Sequence, residues 1–472
     1  MSLLIDNEYR LSNDTTLDRF VISQQDNMLF RQIRLITGDY GKRNDYIIFV
    51  NCKGGKSHQD AMAELVRYGF WIGERHYINS ERSASMVRTS ILSFVDESIY
   101  DELTRRVTMD IKLDKTVLSK WYAYRGLMLS SCHCLEGWKP RIIIVPDCYS
   151  VIPDQKIKYV YDKHMTFEKD GKTIPWVQKD IATGIRDIEI NCFDGCGIHH
   201  PDITDQVRGM LDAKSDPTSI LWRAPFIKGV THEMDYVSFF QERGVTEISD
   251  IWGIKHDVSP HAPPAIIMCE SMYKGFKYFK QNKDVSDWNR YWEMFDKYDH
   301  CIGVAKWNFS ATEEPLYTRA NYQILQDLDL PYEEFAPLAK YSIDWMTKIL
   351  TGDPVSLYAF LGLYADQHSG LNLRMEALVK NREMINEEGV RQYIMSLIDK
   401  TIDEMKCGKL YLKACFKFEA PDLIMLMEHI SGFPLHGCLE ADEFFSFNRE
   451  GEFEGEYIIE RNPHICKSEH TI

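Results

Sequence analysis

The sequence predicts an α+β fold, and two changes of texture along the chain carry that prediction. Between residues 117 and 284 short β-like runs dominate ("RIIIVPDCYSVI", "IKYVYD", "DIEINCF", "AIIMCES"), broken by Pro and Gly, as suits a barrel or compact sheet. From 285 to 435 apolar residues recur at helical spacing instead. Leu338, Tyr341, Trp345 and Ile349 do so in one segment, and Val390, Ile394, Ile398, Ile402 and Met405 in another. Residues 1–116 mix the two patterns, and 436–472 return to strand and turn. The expected order is a mixed α/β region, a β-rich region, a helical domain and the opening of a further β unit.

Composition narrows the class. A chain of 472 residues has room for two to four domains, and 44% apolar with 27% charged residues is ordinary for a globular protein. Its twelve cysteines lack the spacing of a disulfide framework, which points to a reducing compartment. "MSLLIDNEYRLSND" has acids where a signal peptide needs a basic flank, and no apolar stretch approaches the roughly 20 residues that span a bilayer. A cytoplasmic protein without a membrane partner is expected. The net charge of −16, from 55 basic and 71 acidic residues, argues against a simple DNA-coating protein. It leaves room for an enzyme with a locally basic channel.

In the first region, "DYIIFVNCKGGKSHQD" sets a strand before Gly54-Gly55-Lys56-Ser57 and a helix from His58 to Phe70. That is the order of a phosphate-binding P-loop. The loop needs a further glycine five residues before its second one, so that backbone N–H groups can curl round a phosphate, and that position is Val50. A Gly-Gly turn with Lys56 in solvent is the favoured reading.

In the β-rich region, "NCFDGCGIHHPD" places Asp194, Gly195 and Gly197 in a tight turn. Cys192, Cys196, His199 and His200 also allow a zinc reading, but their spacing fits no common site and the glycines already explain a turn. "LWRAPFIKGV" reads as one short strand with Arg223 and Lys228 on its two sides, and "CESMYKGFKYFK" adds a second Lys-Gly pair at Lys274. Two such lysines can face one phosphate cavity; a solvated surface is the ordinary alternative. Near the C-terminus, "EFEGEY" (452–457) imitates with Glu an acid-Gly-acid loop that holds Mg²⁺. Glu is one methylene too long for that geometry, so an acidic hairpin tip is favoured.

Taken in order, these stretches resemble the RNA-silencing type of RNA-dependent RNA polymerase and the related single-chain RNA polymerases of phages. "NCFDGCGIHHPD" resembles that family's Asp-Gly-x-Gly element, and "WRAPFIKGV" its Arg-x(4)-Lys-Gly strand. "DIWGIKHDV" with "IIMCESMYKGFKYF" resembles the stretch ending in Ser-x-x-Lys. "RANYQILQDLDLPYEEF" is similar to the Asn-Tyr-Gln-x-Leu-Gln-x-Leu helix, and "GEYIIERNPHICKSEH" to the Arg-Asn-Pro segment. "SERSASMVR" and "AYRGLMLSS" are weaker matches. The resemblance runs from about residue 80 onward.

The resemblance implies two double-psi β-barrels facing each other across a cleft. Region 1–116 would be an N-terminal α/β region, 117–284 the first barrel, 285–435 a helical domain, and 436–472 the truncated start of the second barrel. Lys228 and Lys274 would contact the phosphates of the incoming nucleotide and of the growing RNA 3′ end. Arg223 would brace the barrel or reach a phosphate, and Asp194, Gly195 and Gly197 would set a turn. Arg461, Asn462 and Pro463 would sit at the cleft wall, Arg461 and Asn462 binding nucleic acid or phosphate there. The family's Mg²⁺-binding Asp-x-Asp-Gly-Asp loop follows the Arg-Asn-Pro segment, and this sequence has no such loop. The expectation is therefore the N-terminal part of an RNA polymerase acting on an RNA or single-stranded DNA template. It would be inactive alone, and Mg²⁺ would enter with a second chain or segment carrying the Asp triad. The alternative is a non-catalytic nucleic-acid-binding or assembly module with a polymerase-like fold.

Overall fold

The computed structural model describes residues 3–10, 16–22, 27–41, 44–51, 56–83, 86–87, 90–111, 117–276, 278–279, 287–308, 316–326, 330–363, 372–440, 443–445, 447–448 and 451–452. The chain divides into two compact units. One holds Leu3–Phe309 with Glu419–Cys438, and the other Ser310–Phe418 with the segment from Leu439 onward.

The first unit opens with six strands: β1 (Leu3–Arg10), β2 (Thr16–Ile22), β3 (Ile47–Asn51), β4 (Phe70–Ile72), β5 (Arg75–Asn79) and β6 (Ile91–Asp96). They form one sheet in the order β1-β2-β3-β6-β5-β4, antiparallel throughout. Alternation along β3 explains its apolar run, because both faces are covered. Ile47 and Phe49 meet residues of α1 (Met28–Thr37) and α3 (Glu97–Thr108), whereas Ile48 and Val50 meet Met62 and Leu65 of α2 (Lys56–Tyr68). The strand before the Gly-Gly pair is thus flanked antiparallel on both sides, unlike the parallel βαβ unit that carries a P-loop. Gly54 and Gly55 themselves lie outside the described residues.

A seven-stranded mixed sheet follows. Its strands are β7 (His133–Leu135), β8 (Arg141–Val145), β11 (Cys196–His199), β12 (Ser219–Ala224), β13 (Ile227–Glu233), β16 (Ala265–Cys269) and β17 (Ile302–Trp307), in the order β7-β17-β12-β13-β11-β16-β8. β11–β13 and β16–β8 are parallel and the other pairs antiparallel. "RIIIV" and "AIIMC" are continuous apolar runs because this sheet too is buried on both faces. Ile142, Ile144, Ile266 and Met268 enter one core cluster; Ile143, Val145, Ala265, Ile267 and Cys269 enter the other.

Between β8 and β11 the short runs expected from the sequence merge into one long hairpin. β9 (Tyr149–Lys169, 21 residues) pairs with β10 (Lys172–Asn191, 20 residues) along their length, with one irregularity between Arg186 and Ile188. Asp170 (φ 51°) and Gly171 (φ 70°) make its tip, a pair of left-handed residues that matches the right-handed twist of the strands. A small ribbon, β14 (Glu247–Ser249) with β15 (Lys255–Asp257), precedes β16.

Helices α4 (Leu118–Arg125), α5 (Pro201–Leu211), α6 (Tyr236–Glu242) and α7 (Asp287–Lys297) belong to the first unit. The second is helical, with α8 (Tyr322–Gln326), α9 (Tyr332–Leu350), α10 (Pro354–Phe360), α11 (Leu373–Lys380) and α12 (Glu388–Lys406). Val390, Ile394 and Ile398 of α12 are buried as the spacing predicts. On α9 the buried stripe is Ala339, Ser342, Met346 and Ile349, while Leu338 and Tyr341 are exposed. A polar residue sets that rotation: the Tyr411 N–H donates to Ser342 Oγ (2.7 Å). Near the hairpin expected at 452–457, Phe447–Asn448 pairs antiparallel with Gly451–Glu452. Residues 453–457 lie outside the described residues. Among the described residues no helix is long and apolar enough to cross a membrane.

Three buried histidines give this fold a pH signature. His199, His232 and His300 are held neutral by burial, with pKa values lowered to about 3, about 4 and about 3. A depressed folded pKa contributes stability that is complete above the unfolded value near 6.5 and lost as pH falls toward 3–4. Each histidine is expected to cost up to about 1.4 kcal/mol per pH unit in that window. The urea midpoint should fall measurably between pH 7 and 5; a flat midpoint would contradict it.

Candidate functional site

"LWRAPFIKGV" is a hairpin, which corrects the single strand expected from the sequence. Pro225 and Phe226 form its tip, and Arg223 on β12 stands directly across from Lys228 on β13. The reversal is enforced by packing. Phe226 is buried at φ 56°, an unfavourable backbone for an aromatic residue, held among Trp121, Tyr278 and Phe279. Tyr291 Oη donates to the Pro225 carbonyl (3.0 Å), and the Lys274 N–H donates to the Phe226 carbonyl (2.8 Å). This second bond places Lys274 beside the hairpin that carries Arg223 and Lys228. Phe226→Ala should destabilise the protein by about 3–5 kcal/mol, the usual cost of emptying a buried aromatic site. Chemical denaturation checks it.

Two turns complete the site. The turn Cys192–Gly195 ends at Gly195 (φ 71°), whose N–H donates to Ser271 Oγ (2.9 Å), and the Val230 N–H donates to the Gly195 carbonyl (2.9 Å). Gly229 is needed here because a Cβ would lie 2.6 Å from that same carbonyl oxygen. Ser271 is fixed in turn by donating its N–H to Asp147 Oδ1 (3.0 Å), and Lys274 Nζ donates to the Ser271 carbonyl. The Asp-Gly-x-Gly, Arg-x(4)-Lys-Gly and Ser-x-x-Lys stretches therefore meet in one place.

The electrostatics follow. Partial desolvation, then the charges of Arg223 and Lys274, push the amine of the otherwise exposed Lys228 below its ordinary pKa, while Asp194 opposes the shift. Burial also lowers the Arg223 guanidinium. Arg223 Nη1 donates to the Trp222 carbonyl (2.7 Å), and its Nε is buried without a hydrogen-bond partner among the described residues. Among those residues no carboxylate within 4 Å pairs with Arg223, Lys228 or Lys274. Asp194 is exposed. The three cations thus stand near two carboxylates, Asp194 and the Asp147 that holds Ser271, and pair with neither, and like charges held together disfavour their own charged forms.

This cluster does not fit a divalent cation, and among the described residues no group of three or more His, Cys, Asp or Glu is arranged to hold one. The zinc candidates have other contacts. His199 bonds Thr231 Oγ1 (2.7 Å) and Thr204 Oγ1 (3.0 Å), and His200 caps the helix Pro201–Leu211 by accepting from the Asp202 N–H (3.1 Å). Arg461, Asn462 and Pro463 lie outside the described residues.

Sequence reading missed one buried contact between the two weaker motif stretches. Glu81 of "SERSASMVR" and Arg125 of "AYRGLMLSS" form an ion pair with both side chains buried. Burial pushes the Glu81 carboxyl up and Arg125 pulls it back. Gly126 allows the approach, because a Cβ there would collide with the Arg82 carbonyl.

The described site of this α+β chain thus gathers Arg223, Lys228 and Lys274 at one place. The chain is 24% identical over 437 residues to the DNA-directed RNA polymerase YonO of Bacillus phage SPbeta, covering 89% of this chain and 45% of that protein. It thus spans about half the length of the curated relative it matches. The family resemblance read from the motifs is borne out by this similarity. Among solved structures, the RNA-dependent RNA polymerase QDE-1 from Thielavia terrestris superposes with a TM-score of 0.40 at 10% identity, over 84% of this chain and 39% of that one. No family model matches the chain.

Proposed function

We propose that this chain supplies the phosphate-binding part of an RNA polymerase, built on the first of two double-psi β-barrels. The observation that carries the reading is the meeting of Arg223, Lys228 and Lys274 with no carboxylate pairing them among the described residues. Nucleotidyl transfer spreads negative charge over phosphoryl oxygens, and ammonium groups fixed beforehand stabilise it without reorganising. Lys228 and Lys274 contact the phosphates of the nucleotide and of the RNA 3′ end, and Arg223 holds the hairpin that presents Lys228. Mg²⁺ enters with carboxylates that the described site does not contain. Nucleic acid template and nucleoside triphosphates are the partners.

Triphosphate binding tests this directly. Charge-assisted contacts contribute about 1.5–3 kcal/mol, so Lys228→Ala or Lys274→Ala should each weaken binding roughly tenfold or more. Calorimetric titration with a nucleoside triphosphate reads the effect, and unchanged affinity in both variants would remove the proposal.

A further inference from the structure

The β9–β10 hairpin has no role in the proposed phosphate chemistry, yet it is the longest paired element described. At about 3.3 Å per residue it extends roughly 65 Å. Most of its side chains are exposed, on both faces. The pairing register sorts them into two unlike sets. From Gln155 to the tip, one face carries Ile157, Tyr159, Tyr161, Met165 and Phe167 of β9, opposite Gly184, Ala182, Asp180, Trp176 and Ile174 of β10. The other face has no Phe, Tyr or Trp in that stretch; it carries Lys156, Lys158, Val160, Asp162, His164, Thr166 and Glu168 with their partners.

The aromatic face is also cationic. Arg186, Lys163, Lys169 and Lys172 share it with a single acid, Asp180, in a chain whose net charge is −16. Arg186 lies over the Tyr159 ring at 3.8 Å, and Tyr159 neighbours Tyr161 at 6.3 Å between centroids. Phe167 is 46% exposed and Trp176 49%. A protein partner would favour rings without lysines, because lysine is depleted in protein interface cores. Rings alternating with Lys and Arg are what an unpaired nucleic-acid strand needs: flat surfaces for its bases and cations for its phosphates.

We propose that this face of the hairpin binds single-stranded nucleic acid by base stacking. The inference stands on the hairpin alone and does not depend on the phosphate-binding role of Lys228 and Lys274.

Fluorescence anisotropy of the full chain with a labelled 20-nucleotide oligothymidylate, against a duplex of equal length, tests it. All substituted positions are exposed, and an unchanged melting curve verifies folding. Each ring is expected to contribute roughly fivefold or more, so Tyr161→Ser, Phe167→Ser and Trp176→Ser together should weaken single-strand binding by about a hundredfold. Lys163→Ala, Lys169→Ala and Lys172→Ala together should reduce the slope of log affinity against log salt by about 2, at roughly 0.7 per phosphate contact. Val160→Ser, Val177→Ser and Ile181→Ser on the opposite face should leave affinity unchanged. The proposal is overturned if the ring variant binds like the wild type, or if both faces contribute equally. It is also overturned if the ring variant only dissolves a dimer in sedimentation while oligonucleotide affinity stays the same, which would make the face a protein interface.

Discussion

On the proposed role, Lys228→Ala combined with Lys274→Ala is expected to reduce nucleotide addition, in the presence of the Mg²⁺-binding part, at least about a hundredfold while leaving the chain folded. Two charge-assisted contacts of about 1.5–3 kcal/mol each set that scale. Folding should survive because the Lys228 residue is exposed, and because alanine at 274 keeps the N–H bond to the Phe226 carbonyl and loses only the bond from Nζ to the Ser271 carbonyl. The structure adds a reason for the size of the effect. The Lys228 ammonium is disfavoured first by partial desolvation and then by Arg223 and Lys274, and a bound phosphate would offset both. Primer extension by the wild-type and double-variant proteins, each supplied with the Mg²⁺-binding part, measures it. Equal rates would mean that the cluster does not touch the reacting phosphates.

Glu81→Gln is expected to lower the unfolding free energy by about 3–5 kcal/mol, the cost of leaving a buried charge without its partner. The side chains are 2% and 9% exposed, so water cannot compensate Arg125 when the carboxylate is lost. Pairing the change with Arg125→Met should recover much of the loss, since apolar replacement of both partners removes the desolvation cost as well. Urea denaturation of the two single variants and the double variant gives the coupling. A loss below about 1 kcal/mol in Glu81→Gln, the range of exposed ion pairs, would show that the pair is solvated.

Much of the fold was legible where one physical cause dominates. "RIIIV" and "AIIMC" read as strands because burial on both faces demands unbroken apolar runs, and α12 shows its buried stripe at helical spacing. The long hairpin was not recognised. Its alternation mixes rings with lysines, so the sequence broke into short runs, although Lys169-Asp170-Gly171-Lys172 carries a two-residue turn signal. The hairpin at Pro225–Phe226 carries no such signal, because Phe226 takes a left-handed backbone that only the surrounding aromatic cluster makes tolerable. On α9 the stripe was misplaced by one residue because a strand docks on Ser342.

The site was legible through the order of its motifs more than through any single one. Spacing alone could not say that Lys274 lies beside Lys228; the 2.8 Å bond from the Lys274 N–H to the Phe226 carbonyl does. The Glu81–Arg125 pair left no local trace, since each residue looks like an ordinary surface charge until the fold buries both.

Covalent labelling at the phosphates is the most direct measurement. A nucleoside triphosphate carrying an acyl group on its terminal phosphate transfers that group to a nearby lysine amine, forming an amide and releasing the nucleotide. Peptide mapping after brief reaction, with and without excess unmodified triphosphate, is expected to find the acyl group on Lys228 or Lys274 and to find it competed away. Labelling concentrated on Lys56, or scattered over the lysines and insensitive to competitor, would contradict the assignment of this cluster as the phosphate site.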